Sequence, residues 1–198
     1  MNWDERQIRN ISGMSIKAFV HTNWLNGVTA VLFGVATWRI GLSPELPAVL
    51  AFIFGGALLA VIDWKVQRLP RRIVYSTLAA VAGGLVFAAV VSGDWLALGT
   101  AALGGALFSS TFFAIWLVTT QLTGMVMLGF GDVRLAAVLG MLLGWYGLPF
   151  VLYGALVGHV FALVIAVATS LRDRRLHVRY SFGPPLIAGT LAVVLIAG

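Results

Sequence analysis

Long apolar stretches alternate with short polar connections along this chain, and the pattern predicts membrane-spanning helices. Several stretches approach the roughly 20 consecutive apolar residues that a helix needs to cross a bilayer. Connections such as residues 43–44 and 92–94 carry the Ser, Pro, Gly and Asp residues that are typical of turns. We therefore predict an all-α polytopic membrane protein with about seven transmembrane helices (six to seven). The predicted spans are residues 18–40, 46–62, 73–92, 95–120, 133–147, 149–170 and 184–197.

Composition narrows the possible functions. Hydrophobic residues make up 60% of the 198 residues and charged residues only 10%, against about a quarter charged in soluble domains. The chain has no cysteine, which excludes disulfides and a cysteine metal site. Its net charge of +6 is spread over short connections and not over a basic soluble domain, so we expect no nucleic-acid partner. The first 23 residues lack the pattern of a cleavable signal peptide.

The distribution of basic residues predicts an orientation. If successive connections alternate between the two sides, all but Arg39 of the 13 Lys and Arg residues fall on one side. Cytoplasmic connections of membrane proteins carry this excess, so we predict a multi-pass protein of the cytoplasmic membrane with a cytoplasmic N-terminus. We divide the chain into an N-terminal tail with the first span (1–45) and a membrane core (46–198).

Two carboxylates stand at the ends of apolar stretches. Asp63 closes residues 52–62, and Asp132 follows residues 129–131 and precedes an apolar stretch. An ionisable group at the edge of the bilayer core is costly and marks a candidate functional site. Taken singly, Asp132 could be a plain helix cap after a glycine turn. Asp63 could be an acidic residue at a helix end whose charge is balanced by the basic residues of the following connection. Both lie on the predicted cytoplasmic side at similar depth, which favours a pair.

A pair of facing carboxylates has a known kind of chemistry. Two like charges at short range cannot both ionise easily, so the pair shares a proton. The ionised member can activate water while the protonated member donates to a peptide carbonyl, with no metal or cofactor. The glycine-interrupted segment 122–131 would be a flexible wall or gate beside Asp132, because irregular backbone at membrane depth is tolerated only inside protein or along a wet cavity.

Three segments together resemble the type IV prepilin peptidase family of membrane aspartic proteases, which share the Gly-x-Gly-Asp motif. They are Asp63 followed by Pro70, the run Gly-Phe-Gly-Asp-Val-Arg-Leu at 129–135, and Ser-Phe-Gly-Pro at 181–184. The resemblance covers roughly residues 46–197. It implies an aspartic endopeptidase that removes the short basic leader of pilin-like membrane precursors at the cytoplasmic face, with Asp63 and Asp132 catalytic. The supporting motif residues would be Pro70, Gly129, Gly131, Arg134, Phe182, Gly183 and Pro184.

The chain departs from the family pattern in two places. Arg134 stands where many members have Lys, which keeps the charge but changes its geometry. Many members use a cysteine-containing N-terminal domain for N-methylation, and because this chain has no cysteine we expect a short, peptidase-only form for which methyltransferase activity is not implied.

Other functions remain open on the sequence. An archaeal preflagellin-type peptidase would use the same motifs, whereas a presenilin-like protease would carry Pro-Ala-Leu where this chain has residues 182–184. A proton-coupled transporter that uses the two carboxylates would be expected to show repeats and mid-membrane broken helices. An inactive peptidase homologue that serves as a non-enzymatic scaffold is the other alternative. The precursor itself is not specified among pilins, pseudopilins and flagellin-like proteins.

Two further features have structural interpretations. Gly140 with Gly144, and Gly154 with Gly158, place small residues on one helix face and predict close helix packing. His159 lies within the sixth predicted span, where we expect a neutral side chain bonded to a neighbouring helix.

Overall fold

The computed structural model of the chain describes residues 23–66, 69–123, 129–173 and 182–198. Every regular element in these ranges is an α-helix, which confirms the predicted all-α class. The seven described helices are α1 (Asn23–Ile40), α2 (Leu46–Val66), α3 (Arg71–Ser92), α4 (Trp95–Thr123), α5 (Phe130–Trp145), α6 (Leu148–Asp173) and α7 (Gly183–Ala197).

Each described helix corresponds to one predicted span, and the chain is a polytopic membrane protein. Four of the helices, α2, α3, α4 and α6, are individually long and apolar enough to cross a bilayer. The 16 residues of α5 and the 15 of α7 give lengths of roughly 24 and 22 Å, less than the ~30 Å apolar core of a bilayer. Neither short helix is therefore long enough to cross the apolar layer by itself.

Four helices enclose a shared core. α2 packs against α3 and α7, and α5 packs against the same two helices. α4 covers α5 in the most extensive helix pair of the bundle, α6 packs on α7, and α1 lies against α2 and α7. Burial of aliphatic side chains along these contacts stabilises the bundle. Fully buried core residues include Phe52, Leu59, Leu85, Leu135, Leu139 and Leu142.

Small residues allow the helix backbones to approach closely, as the glycine spacing predicts. A side chain at Gly144 would lie 2.5 Å from the Thr100 carbonyl oxygen on α4, and one at Gly140 would fall 2.7 Å from the Cβ of Phe108. A side chain at Gly189 on α7 would lie 2.6 Å from the Cα of Gly158 on α6. Backbones in such contact exclude lipid from the helix interface.

The second helix extends beyond its predicted boundary. The span was predicted to end at residue 62, whereas α2 continues to Val66, so that Asp63 lies on the helix and is buried. The polar side chain does not end the helix because it finds a partner inside the protein. The central part of the predicted gate, residues 124–128, and the tail before residue 23 lie outside the described residues.

Candidate active site

Asp63 is a buried carboxylate with a hydrogen-bond partner from a distant helix. Its side chain is 5% exposed, and its Oδ2 accepts a hydrogen bond from the backbone N–H of Gly183 at 3.1 Å. A buried charged group is tolerated only where such partners replace water. This contact joins the end of α2 to the beginning of α7.

Gly183 is required by the closeness of that contact. A Cβ at this position would lie 2.6 Å from Oδ2 of Asp63. Pro184 and Pro185 follow in the first turn of α7 and have no N–H to donate, so Gly183 is the first-turn residue there that offers one. The N-terminus of a helix also carries partial positive charge, which stabilises a nearby carboxylate.

Asp132 lies in the first turn of α5 and is half-buried. Its backbone N–H donates to the Gly129 carbonyl at 3.0 Å, and its own side chain bends toward the same residue, since a Cβ at Gly129 would lie 3.3 Å from Oδ2. An acidic side chain in this turn is favoured by the helix dipole. The predicted helix start after the glycine turn is thus observed.

The fold places the two carboxylates in the same part of the bundle. They come from α2 and α5, which share α3 and α7 as neighbours. Two carboxylates at short range would disfavour double ionisation and share a proton. The arrangement provides one group that can accept a proton and one that can donate it.

The connection between α2 and α3 also contacts the start of α5. A Cβ at Gly131 would lie 2.9 Å from the Cβ of Leu69, which explains glycine beside Asp132. No described contact joins Pro70 to either carboxylate. Pro70 is instead the N-cap of α3, and its carbonyl accepts the N–H groups of Ile73 and Val74. Pro70 therefore sets the direction in which the connection meets α3.

The remaining motif residues lie at the beginnings of α5 and α7. Phe182 is the exposed N-cap of α7, its carbonyl accepts the N–H of Leu186, and Pro184 is half-buried. The Arg134 guanidinium lies 4.6 Å from the centre of the Phe130 ring and 5.7 Å from that of Tyr75. The motif spacing had not indicated this aromatic surrounding, because Tyr75 is far from Arg134 in sequence.

His159 differs from its prediction. Its Nδ1 donates to the carbonyl of Ala155, one turn earlier on the same helix, at 2.7 Å. The nearest described ring on another helix is that of Phe112, 6.3 Å away between centroids. The hydrogen-bond partner of Nδ1 thus lies on the same helix and not on a neighbouring one. Within the described ranges, no group of three His, Asp or Glu side chains is arranged to hold a metal.

A family model and curated relatives match the chain. The model of the type IV leader peptidase family covers residues 48–168, which include Asp63 and Asp132. A Pseudomonas putida protein named prepilin leader peptidase/N-methyltransferase is 32% identical over 83% of this chain and 55% of its own length. Proteins of the same name match from Neisseria gonorrhoeae (32% identical; 80% of this chain, 52% of the relative) and Escherichia coli (31% identical; 85% and 73%).

The chain spans about half the length of the first two of these relatives. No solved structure gives a significant match.

Proposed function

Because the chain belongs to the type IV leader peptidase family, we propose that it is an aspartic endopeptidase that removes the short basic leader from type IV pilin-like precursors. The observation that carries this proposal is that Asp63 and Asp132 lie on two different helices, α2 and α5, that both pack against α3 and α7. The hydrogen bond from Gly183 to Asp63 supports it, because it fixes one carboxylate of the pair.

The proposed reaction needs only the pair and one water molecule. The ionised carboxylate takes a proton from water as its oxygen attacks the peptide carbonyl carbon, and the carboxylic acid gives its proton to the carbonyl oxygen. In the tetrahedral intermediate, the first group then protonates the leaving nitrogen, and the second recovers its proton as the C–N bond breaks. Both groups return to their starting states.

We further propose that the reaction takes place at the cytoplasmic face. Four basic residues lie at the end of the bundle where α2 finishes and where α3 and α5 begin, namely Lys65, Arg71, Arg72 and Arg134. Arg39 lies at the opposite end, where its Nε donates to a carbonyl near the end of α7. A basic excess of this kind is typical of the cytoplasmic side. The short α5 and α7 would leave the pair slightly within the apolar layer.

Co-expression with a pilin-like precursor tests the proposal. Mass spectrometry of the precursor measures leader removal, which we expect in the wild type. The cleavage rate should fall at least about 1000-fold in Asp63→Asn and in Asp132→Asn, because Asn can neither accept nor donate the transferred proton. Asp94→Asn is the matched control, since this exposed acid bonds the N–H of Ala97 within its own helix start. It should cleave like the wild type.

The outcomes separate the hypotheses. Full cleavage by either pair variant would exclude the dyad. If a panel of pilin, pseudopilin and flagellin-like precursors stays intact with folded wild-type protein, the scaffold or transporter hypothesis would replace the peptidase. The precursor that is cut defines the substrate class.

A further inference from the structure

The guanidinium of Arg134 is held by aromatic rings. Its Cζ lies 4.6 Å from the centre of the Phe130 ring and 5.7 Å from the centre of the Tyr75 ring. The side chain is half-buried, and its Nε is buried without a hydrogen-bond partner among the described residues. A cation over a ring face is attracted by the ring quadrupole, more strongly where water is excluded.

Phe130 is in turn fixed by two rings of α4. Its ring meets that of Trp116 edge-on at 5.3 Å between centroids and that of Phe113 at 6.3 Å. These two rings stack on each other at 5.7 Å. Edge-to-face and stacked arrangements are the favourable ones for aromatic pairs. Phe130 therefore contacts two rings of α4 directly, and it is linked to Tyr75 of α3 by Arg134, which lies over both rings.

This anchoring falls at a helix start that has no side-chain cap. α5 begins at Phe130, and its N-cap, Gly129, makes no side-chain cap. Gly131 contributes no side chain either. A helix start without a side-chain cap tends to fray, so side-chain contacts such as those of Phe130 and Arg134 contribute to the orientation of this turn.

The Phe130–Arg134 pair and Asp132 lie on different faces of the first turn of α5. Phe130 and Arg134 are four residues apart and so share one face of the helix. Asp132 is two residues from each, about 200° around the axis. Holding the Phe130–Arg134 face against α3 and α4 therefore fixes the opposite face, which carries Asp132 toward the core helices.

We propose that Arg134 is a positioning residue, whose stacking on Phe130 and Tyr75 orients the first turn of α5 so that the carboxylate of Asp132 faces Asp63. The role rests on the proposed peptidase function and deepens it. Arg134 acts through the turn and not through the substrate, so its loss should slow the chemical step and leave substrate binding unchanged.

Steady-state cleavage of a pilin-like precursor in detergent micelles tests the role, with rates normalised to protein that elutes as folded in size-exclusion chromatography. We expect Arg134→Gln to lower kcat about tenfold with KM within about twofold of wild type, because the cation–ring attraction is lost. Arg134→Lys should keep kcat within about threefold, since an ammonium group can also sit over a ring. The exposed Arg72 supplies a control, and Arg72→Gln should match the wild type.

A second variant tests the partner. Phe130→Leu should reproduce the kcat loss of Arg134→Gln, and the double variant should lose no more than about the larger single loss, because both changes remove the same contact. Additive losses, a change confined to KM, an unaltered kcat in Arg134→Gln, or a Lys variant as slow as Gln would each overturn the role. Wild type and Asp132→Asn run in parallel: absence of cleavage in the wild type would instead reject the peptidase function itself.

Discussion

Asp63 and Asp94 both accept a hydrogen bond at the N-terminus of a helix, but they do so over very different distances along the chain. Asp94 bonds the N–H of Ala97, three residues ahead, at 2.9 Å and remains exposed. Asp63 bonds the N–H of Gly183, 120 residues away, at 3.1 Å and is buried. The first contact requires only a local turn, whereas the second forms only when α2 and α7 pack together.

The difference separates a structural acid from a candidate catalytic one. A local cap stabilises the helix that it begins and needs no other element. The long-range contact fixes a carboxylate relative to a second helix and so relative to Asp132, which lies on α5 beside α7. Chemistry by two groups requires this kind of placement, because small displacements of reacting groups cost large factors in rate.

The largest effect in this comparison is expected at Gly183. Gly183→Ala places a methyl group 2.6 Å from Oδ2 of Asp63, so either the carboxylate or the start of α7 must move. We expect leader cleavage to fall by about 100-fold, because a displacement of about 1 Å costs that much in a positioned reaction. Cleavage is measured on folded protein with a pilin-like precursor.

Gly83→Ala is the matched control for that change. A Cβ at Gly83 on α3 would meet nothing within 4 Å, and alanine is favoured over glycine within a helix by about 1 kcal/mol. We expect wild-type cleavage and equal or slightly higher stability. If Gly183→Ala cleaves like Gly83→Ala, the contact between α2 and α7 does not position the acid.

The sequence predicted the helices and the motif residues around Asp63, but not the hydrogen-bond partner of Asp63. Hydropathy located the seven helices of the described residues, and the motifs singled out Asp63, Asp132 and Gly183. The partner of Asp63 could not be predicted, since no local pattern encodes a bond across 120 residues. The end of α2 was placed too early because a carboxylate was expected to end an apolar helix, whereas a buried hydrogen bond satisfies it.

The surroundings of Arg134 show the same limit. Its charge and its place two residues after Asp132 are evident in the sequence. Its ring contacts come from α3 and, through Phe130, from α4, and a single aromatic residue on a membrane helix is more often a packing residue than a cation partner. His159 illustrates the converse, because a local carbonyl satisfies it where a distant partner was expected.

A smaller effect is expected where the helix that carries Asp132 packs on α4. Gly140→Ala would bring a methyl group to 2.7 Å from the Cβ of Phe108 and against the Gly104 backbone. Overpacking of this kind costs about 1–3 kcal/mol, so the free energy of unfolding in detergent, measured by denaturant titration, should fall by that amount. A Cβ at Gly99 on α4 would meet nothing within 4 Å, so the free energy of unfolding of Gly99→Ala should not fall. Equal stability of the two variants would show that α5 can shift away from α4 at no cost.

The smallest effect is expected at the local acid. Asp94→Ala removes the cap on the Ala97 N–H and should lower the free energy of unfolding by about 1 kcal/mol, as loss of an N-cap does, while cleavage per folded molecule stays within about twofold. Denaturant titration and precursor cleavage on the same preparation measure both. A large loss of cleavage in this variant would contradict the distinction between Asp94 and Asp63. A residue with only a local hydrogen bond would then influence the pair of Asp63 and Asp132. A stability loss without a cleavage loss leaves the long-range contact of Asp63 as the feature that marks the candidate catalytic residue.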